Sequence, residues 1–424
     1  MVTSLDELLQ HYQQSPLLFK LADRLTMSGP QQITLKNLQG SAPAFTLSGI
    51  FNHPSCAQLN HVVVCEDAET AAYIHNSLEN ITNALNIFYF PSSFKNRKNF
   101  ELLNPSHVML RTEALTKFAT QTGNRIGMLV TYPEALFEKV VLPSALSKNM
   151  IHIKQADVLN VEGVMQQLVD YGFERTDFVY EPGQFALRGG ILDIYSYGNE
   201  KPYRIELFGN DVDSIRIVDP ETQLSERKLL QVTIIPNVET QFDSGEKASL
   251  FDFLPEQTIY WFANTSLSFD RLLQQEEDLQ IFLEVKDQRA TEAASSRKSK
   301  FVEEDDKIHK ADLTTNDFIS TQSAIDFLSK SIVVTYGQSF EGESKPLEVT
   351  GPHEFISFQT KAQPAFNRQF DLLIKDLKSW IAKGFTLCLF AENLRQLERL
   401  YSVFEDLKAE IQFTPIPISV HEIY

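Results

Sequence analysis

Apolar residues recur along this chain with two different periods, and the places where the period changes mark its organisation. Leu8, Leu9 and Tyr12 keep one helical face behind Ser4-Leu-Asp-Glu7, whose spacing predicts a capping box, and Ser15-Pro16 predicts an interruption. Ile33 to Leu47 reads as a strand, a glycine-containing turn and a helix start. His61-Val-Val-Val-Cys-Glu66 is the continuous apolar run expected of a strand buried on both faces, and Asp67 is placed to cap a helix reaching about Leu78. Ile87-Phe-Tyr-Phe90 predicts a strand ending at Pro91, Arg111 to Ala119 a helix, and Ile126 to Thr131 a strand. Pro133 then suits the first turn of the next helix. Strands alternating with helices predict a parallel, doubly wound sheet, which binds ligands at the carboxyl ends of its strands.

After Pro143 the period shortens. Met150 to Lys154 predicts a strand, and Asn160 to Tyr171 a helix with Val161, Val164, Met165 and Leu168 on one face. Five short strands are expected around Phe178, Phe185, Ile191, Arg204 and Ile215, with turns at Pro182-Gly183, Gly189-Gly190, Gly198-Asn199 and Gly209-Asn210. This is an α+β unit with an antiparallel sheet, set into or added to the α/β domain. Thr258 to Ala263 returns as a buried strand, followed by a Leu/Gln/Glu-rich helix from about Ser268. Lys286 to Asp312, dense in both charge signs, predicts an exposed helix end and a solvated loop.

Past Gly351-Pro352, Phe366, Phe370, Leu373, Leu377 and Ile381 keep one helical face and Gly384 suits the C′ position. Phe385 to Phe390 predicts a strand, and Leu394, Leu397, Tyr401, Phe404 and Leu407 a second amphipathic helix. The expected division is residues 1–143 and 237–340 for two parts of a first domain, 144–236 for the insertion, and 341–424 for a small α/β domain. Val420-His-Glu-Ile-Tyr424 closes the chain without a polar tail, as a piece of a longer protein would.

Length and composition agree with several domains. The 424 residues exceed a single compact core, and 43% apolar residues with 31 Phe leave ample material for interiors. A net charge of −18 argues against the chain as a whole clamping a nucleic-acid backbone, without excluding a local basic patch. Cys56, Cys65 and Cys388 are widely spaced in apolar settings, as buried free thiols in a reducing compartment, and form no zinc signature. The amino terminus has no basic stretch followed by an apolar core, and no apolar run approaches the ~20 residues of a membrane span, so a soluble, cytoplasmic chain is expected.

Candidate chemistry is sparse. The turn at Gly40 stands where a phosphate-binding loop would sit, but Ser41-Ala-Pro-Ala-Phe45 supplies neither the lysine nor the magnesium-binding hydroxyl. No nucleophile–histidine pairing and no metal-ligand spacing emerges, so catalytic and metal-binding residues are expected to be absent. His61 and His152 sit in strand runs as packing or edge residues, and Asp211/Asp213 reads as hairpin-rim surface. What stands out is Phe185, Arg188, Arg204 and Glu206, one aromatic and three charges on strands that need none for folding. Arg204 and Glu206, two apart, share one side of their strand, and Arg188 can share it across a sheet. A cross-strand ion-pair ladder and a protein-docking face account for this set equally well.

Pro182-Gly-Gln-Phe-Ala-Leu-Arg-Gly-Gly-Ile-Leu-Asp-Ile-Tyr195, Pro202-Tyr-Arg-Ile-Glu-Leu-Phe-Gly209 and Asp213-Ser-Ile-Arg-Ile-Val-Asp-Pro-Glu-Thr-Gln223 resemble the UvrB-homology module of the bacterial transcription-repair coupling factors. Less specifically, Tyr89-Phe-Pro91 and Thr131-Tyr-Pro-Glu-Ala-Leu136 are similar to the module's first domain. The resemblance implies a degenerate P-loop-NTPase-like parallel-sheet domain that has lost its phosphate loop, an inserted UvrA-binding α+β domain, and a small C-terminal α/β domain. It implies UvrA as partner, contacted through Phe185, Arg188, Arg204 and Glu206, with Arg175 a weaker match. It also implies a parent protein that recruits repair to stalled RNA polymerase and masks this surface until polymerase or DNA engages. ATP, magnesium, RNA polymerase and duplex DNA would be bound by motor and polymerase-binding domains whose motifs this chain lacks. The alternative is a UvrB-like, nucleotide-dependent repair enzyme with an atypical phosphate loop.

Overall fold

The computed structural model describes residues 4–82, 86–120, 127–240, 242, 244–295, 313–337, 347–367 and 369–418. Its base is a seven-stranded, all-parallel sheet in the order His353–Ser357, Gln31–Lys36, Ile332–Thr335, Thr258–Phe262, Asn60–Val64, Met128–Thr131 and Ile87–Tyr89. The three strands Thr258–Phe262, Asn60–Val64 and Met128–Thr131 are buried at every position, because helices cover both faces of the sheet. The predicted local signals operate as expected. Ser4 accepts from the Glu7 amide at the start of the Leu5–Gln13 helix, Asp67 accepts from Thr70 at 2.8 Å before Ala68–Thr82, and Pro133 opens Pro133–Phe137.

The chain leaves this base after Pro143–Lys148 and returns at Gln231–Ile234, which pairs antiparallel with Ile151–Lys154. The outgoing and incoming strands are thus zipped together. Beyond them the Val161–Asp170 helix, capped by the Asn160 side chain, lies with a six-stranded sheet. Its order is Ser225–Leu229, Asp211–Val218, Tyr203–Phe208, Ile191–Ile194, Gln184–Arg188 and Glu174–Arg175, with only the last pair parallel. The turn at Gly189-Gly190 needs both glycines. Gly189 has a φ of +60°, and a Cβ on Gly190 would stand 2.7 Å from the Leu207 carbonyl oxygen.

Three expectations change. No strand forms around Phe178; the edge is Glu174–Arg175 instead, and Phe178 lies in the following loop. Ser225–Leu229, with four consecutive exposed residues, adds a sixth strand whose polar sequence carries no alternation to reveal it. His353–Ser357, expected in the last unit, is an edge strand of the base sheet, parallel to Gln31–Lys36. The last unit then comprises the helices Phe370–Ala382 and Leu394–Asp406 and the parallel strands Cys388–Phe390 and Thr414–Ile416. The charged stretch continues the Thr265–Ser295 helix, and its part from 296 to 312 lies outside the described residues.

Where the insertion joins the base, a cluster of charges is fully enclosed. Arg111 on Pro105–Thr120 donates from Nε to Glu239 at 2.8 Å and from Nη1 to the Pro91 carbonyl at 3.0 Å, and its Nη2 stands 3.4 Å from Glu138. Glu138 also accepts from the Ser93 amide and hydroxyl. Burial by itself would lower the Arg111 pKa, but Glu138 and Glu239 more than offset it and hold the guanidinium above the ordinary arginine value. Arg111→Ala would leave both carboxylates enclosed without that cation and is expected to destabilise the chain by about 3–5 kcal/mol. Urea unfolding followed through Trp261, which is buried in the base sheet, measures this; a loss below ~1 kcal/mol would contradict it.

Candidate docking face

The register of the inserted sheet decides which side chains share a surface. Residues directly opposite across antiparallel strands point the same way, so Ala186, Asp193, Arg204, Arg216 and Lys228 form one row on one face. Arg188, Ile191, Glu206 and Ser214 form the next row on that face. The opposite face carries Phe185, Leu192, Ile194, Ile205 and Ile215, which join Leu168 of the covering helix in the apolar core. One face is therefore interior, and the other is an outer, charged surface except at Ala186, which Val179 and Tyr195 cover in a small apolar cluster.

Asp193 is the centre of the outer face although it is only 1% exposed. Arg204 donates to it from Nε at 2.8 Å and Nη2 at 2.9 Å, a two-point fork, and Arg188 donates from Nη2 at 2.5 Å. The hydrogen bonds to Asp193 hold the Arg204 pKa above its ordinary value. Arg204 is anchored further through Nη1 on the Gln223 carbonyl at 3.1 Å, and Arg188 through Nη1 on the Asp177 carbonyl at 2.5 Å. The Arg188 guanidinium lies 4.1 Å from the centre of the Phe178 ring. In the second row Glu206 accepts from Ser214 at 2.5 Å and from Arg216 at 3.2 Å.

The structure brings Arg188, Arg204 and Glu206 together as the spacing predicts, and separates the other two residues from them. Phe185 is on the inner face and 1% exposed, because it sits one position out of phase with Ala186 and Arg188; it supports the sheet and does not line the outer face. Arg175 is exposed on the far edge strand, in register with Phe185. The aromatic components of the outer face are Phe178, under Arg188, and Phe208, 80% exposed and in phase with Arg204 and Glu206. Alternation from Arg204 would have found Phe208, and an aspartate inside Ile-Leu-Asp-Ile would have flagged Asp193. Nothing local marks Phe178, whose position depends on the loop that carries it.

The carboxyl edge of the base sheet holds the glycine turn seen in the sequence, with Gly40 at a φ of +63°. The Ala42–Phe51 helix that follows is buried along its whole length. Phe45, in its first turns, stacks on Tyr12 with ring centres 5.1 Å apart and meets Phe390 at 5.6 Å. Aromatic rings thus cover the start of this helix, where a phosphate loop would leave amides open to an anion. Among the described residues no group of three or more His, Cys, Asp or Glu side chains could hold a metal ion, and no helix is long and apolar enough to cross a membrane.

Comparison with known proteins agrees with this architecture. Residues 151–239 match the model of the UvrB interaction domain. The chain is 24% identical over 398 residues to the transcription-repair-coupling factor of Borreliella burgdorferi, covering 91% of this chain and 35% of that protein. It is 23% identical over 421 residues to that of Bacillus subtilis, with the same coverages. A shorter similarity, 25% over 215 residues, covers 48% of this chain and 31% of the UvrABC system protein B of Vibrio vulnificus. The chain spans about a third of the length of these three relatives, 35% in the first two and 31% in the third.

The two-faced sheet makes opposite demands on its phenylalanines. Phe185→Ala empties a core site and should lose about 3–5 kcal/mol of stability, whereas Phe208→Ala should stay within about 0.5 kcal/mol of the parent. Denaturant midpoints of the two variants check this, and equal losses would contradict the assignment of faces.

Proposed function

We propose that this UvrB-homology module docks UvrA on the outer face of its inserted sheet, and so serves as the recruiting arm of a transcription-coupled repair protein. The observation that carries the reading is the composition of that face. In its two central rows Arg188, Arg204, Arg216 and Lys228 stand against Asp193 and Glu206, with Glu174 and Asp211 at the margins of the face, on a chain whose net charge is −18. Such a local reversal of sign, flanked by exposed aromatic rings, fits an acidic protein surface with apolar anchors. Arginine and aromatic side chains are the types that dominate binding energy when a partner excludes water from them. The similarity of residues 151–239 to the UvrB interaction domain supports the same placement.

In this reading the module brings UvrA to RNA polymerase stalled at a lesion, and contacts with polymerase and duplex DNA, like ATP-driven motion, are assigned to none of these residues. Phe208 left in water is an interface awaiting a partner, which fits a parent protein that covers the face until polymerase or DNA engagement frees it. The covered start of the Ala42–Phe51 helix supports a non-catalytic base domain over a nucleotide-dependent one. Saturable ATP binding by this chain in calorimetric titration would reverse that preference.

Titration of UvrA with the whole chain tests the docking. Arg188→Ala combined with Phe208→Ala should weaken affinity by roughly a hundredfold or more, since two anchors are lost. Unchanged affinity in the double variant would place the partner elsewhere.

A further inference from the structure

The geometry points to Asp193 as the positioning residue of the docking face, a buried acid that fixes how a basic surface is read without itself being touched. This rests on the docking reading above. At 1% exposure Asp193 is out of a partner's reach, yet both its oxygens are engaged, Oδ1 by Arg204 and Oδ2 by Arg204 and Arg188. Each guanidinium has a second anchor on a loop carbonyl, Gln223 for Arg204 and Asp177 for Arg188. Two long side chains that would otherwise sample many rotamers are thereby held before any partner arrives, and binding need not order them.

The same contacts divide the arginines by role. Arg204 has all three nitrogens engaged and its side chain is 14% exposed, so it serves as backing. Arg188 is 31% exposed, its Nε has no hydrogen-bond partner among the described residues, and its guanidinium is fixed against Phe178. A fixed, planar, partly open guanidinium suits a carboxylate. The group on UvrA that Arg188 meets is therefore the carboxylate of an acidic side chain.

Simple charge counting and positioning predict opposite signs for one substitution. Asp193→Asn removes a negative charge from beneath a positive face, which on Coulomb grounds alone would strengthen the pull on an acidic partner. Positioning predicts the reverse, because asparagine offers one acceptor oxygen and an NH2 donor where Arg188 and Arg204 now share two carboxylate oxygens. We expect UvrA affinity of the whole chain to fall roughly tenfold in Asp193→Asn. In an Arg188→Ala background the same change should cost little more, since the residue being positioned is gone; a general structural defect would weaken both backgrounds alike. Arg204→Lys keeps a cation beside Asp193 but not the two-point fork. It should also lower affinity, which keeps the question answerable should Asp193→Asn fail to fold. Unchanged or tighter binding by Asp193→Asn, or additive losses in the cycle, would overturn the inference while Arg188→Ala and Phe208→Ala remain damaging. If those two variants bind normally as well, the docking reading itself falls, and this inference with it.

Discussion

Arg111 carries a charge into the interior between Glu138 and Glu239, and the way the inserted domain stands on the base follows from that. Glu138 lies just before the chain departs into the insertion and Glu239 just after it returns. A guanidinium taken out of water needs partners in fixed positions, and the two connecting segments supply them as two carboxylates. Lys247 and Asp317 extend the network on the base side. The antiparallel pairing of Ile151–Lys154 with Gln231–Ile234 then carries that fixed geometry outward to the six-stranded sheet.

On that sheet, stability and the proposed recognition fall on opposite faces. Phe185, Leu192, Ile194, Ile205 and Ile215 bury their side chains against the covering helix, and this apolar contact is what holds the strands in register. Apart from the small cluster of Val179, Ala186 and Tyr195, the outer face is thereby released from the core and can hold arginines, carboxylates and an exposed phenylalanine. It is still not a loose charged surface. A carboxylate enclosed beneath two guanidiniums makes the ion-pair ladder compatible with the proposed docking face rather than a rival to it.

The base domain has the layout of a phosphate-binding site without its chemistry. Its parallel sheet, its glycine turn at Gly40 and its following helix remain, yet Ala42, Pro43, Ala44 and Phe45 present apolar surface where anion-binding groups would be needed. Tyr12 and Phe390 pack on Phe45 and share a cluster with Ala44. The sheet carries the insertion without that chemistry, since its central strands need only be covered on both faces.

Much was legible in the chain alone. Continuous apolar runs such as His61 to Glu66 specify buried parallel strands, alternation from Phe185 to Gly209 specifies an antiparallel sheet, and caps at Ser4 and Asp67 place helix starts, because each depends on neighbours a few residues away. Even the sharing of a face by Arg188, Arg204 and Glu206 was foreseeable from strand period. What only the tertiary structure decided depends on contacts between distant residues. The base sheet recruits His353–Ser357 through pairing with a strand more than three hundred residues earlier. The same holds for the loop that brings Phe178 under Arg188 and for the out-of-phase burial of Phe185. The meeting of Arg188 and Arg204 on Asp193 is the clearest case: strand alternation says which way side chains point, but only the assembled sheet says which carboxylate they share.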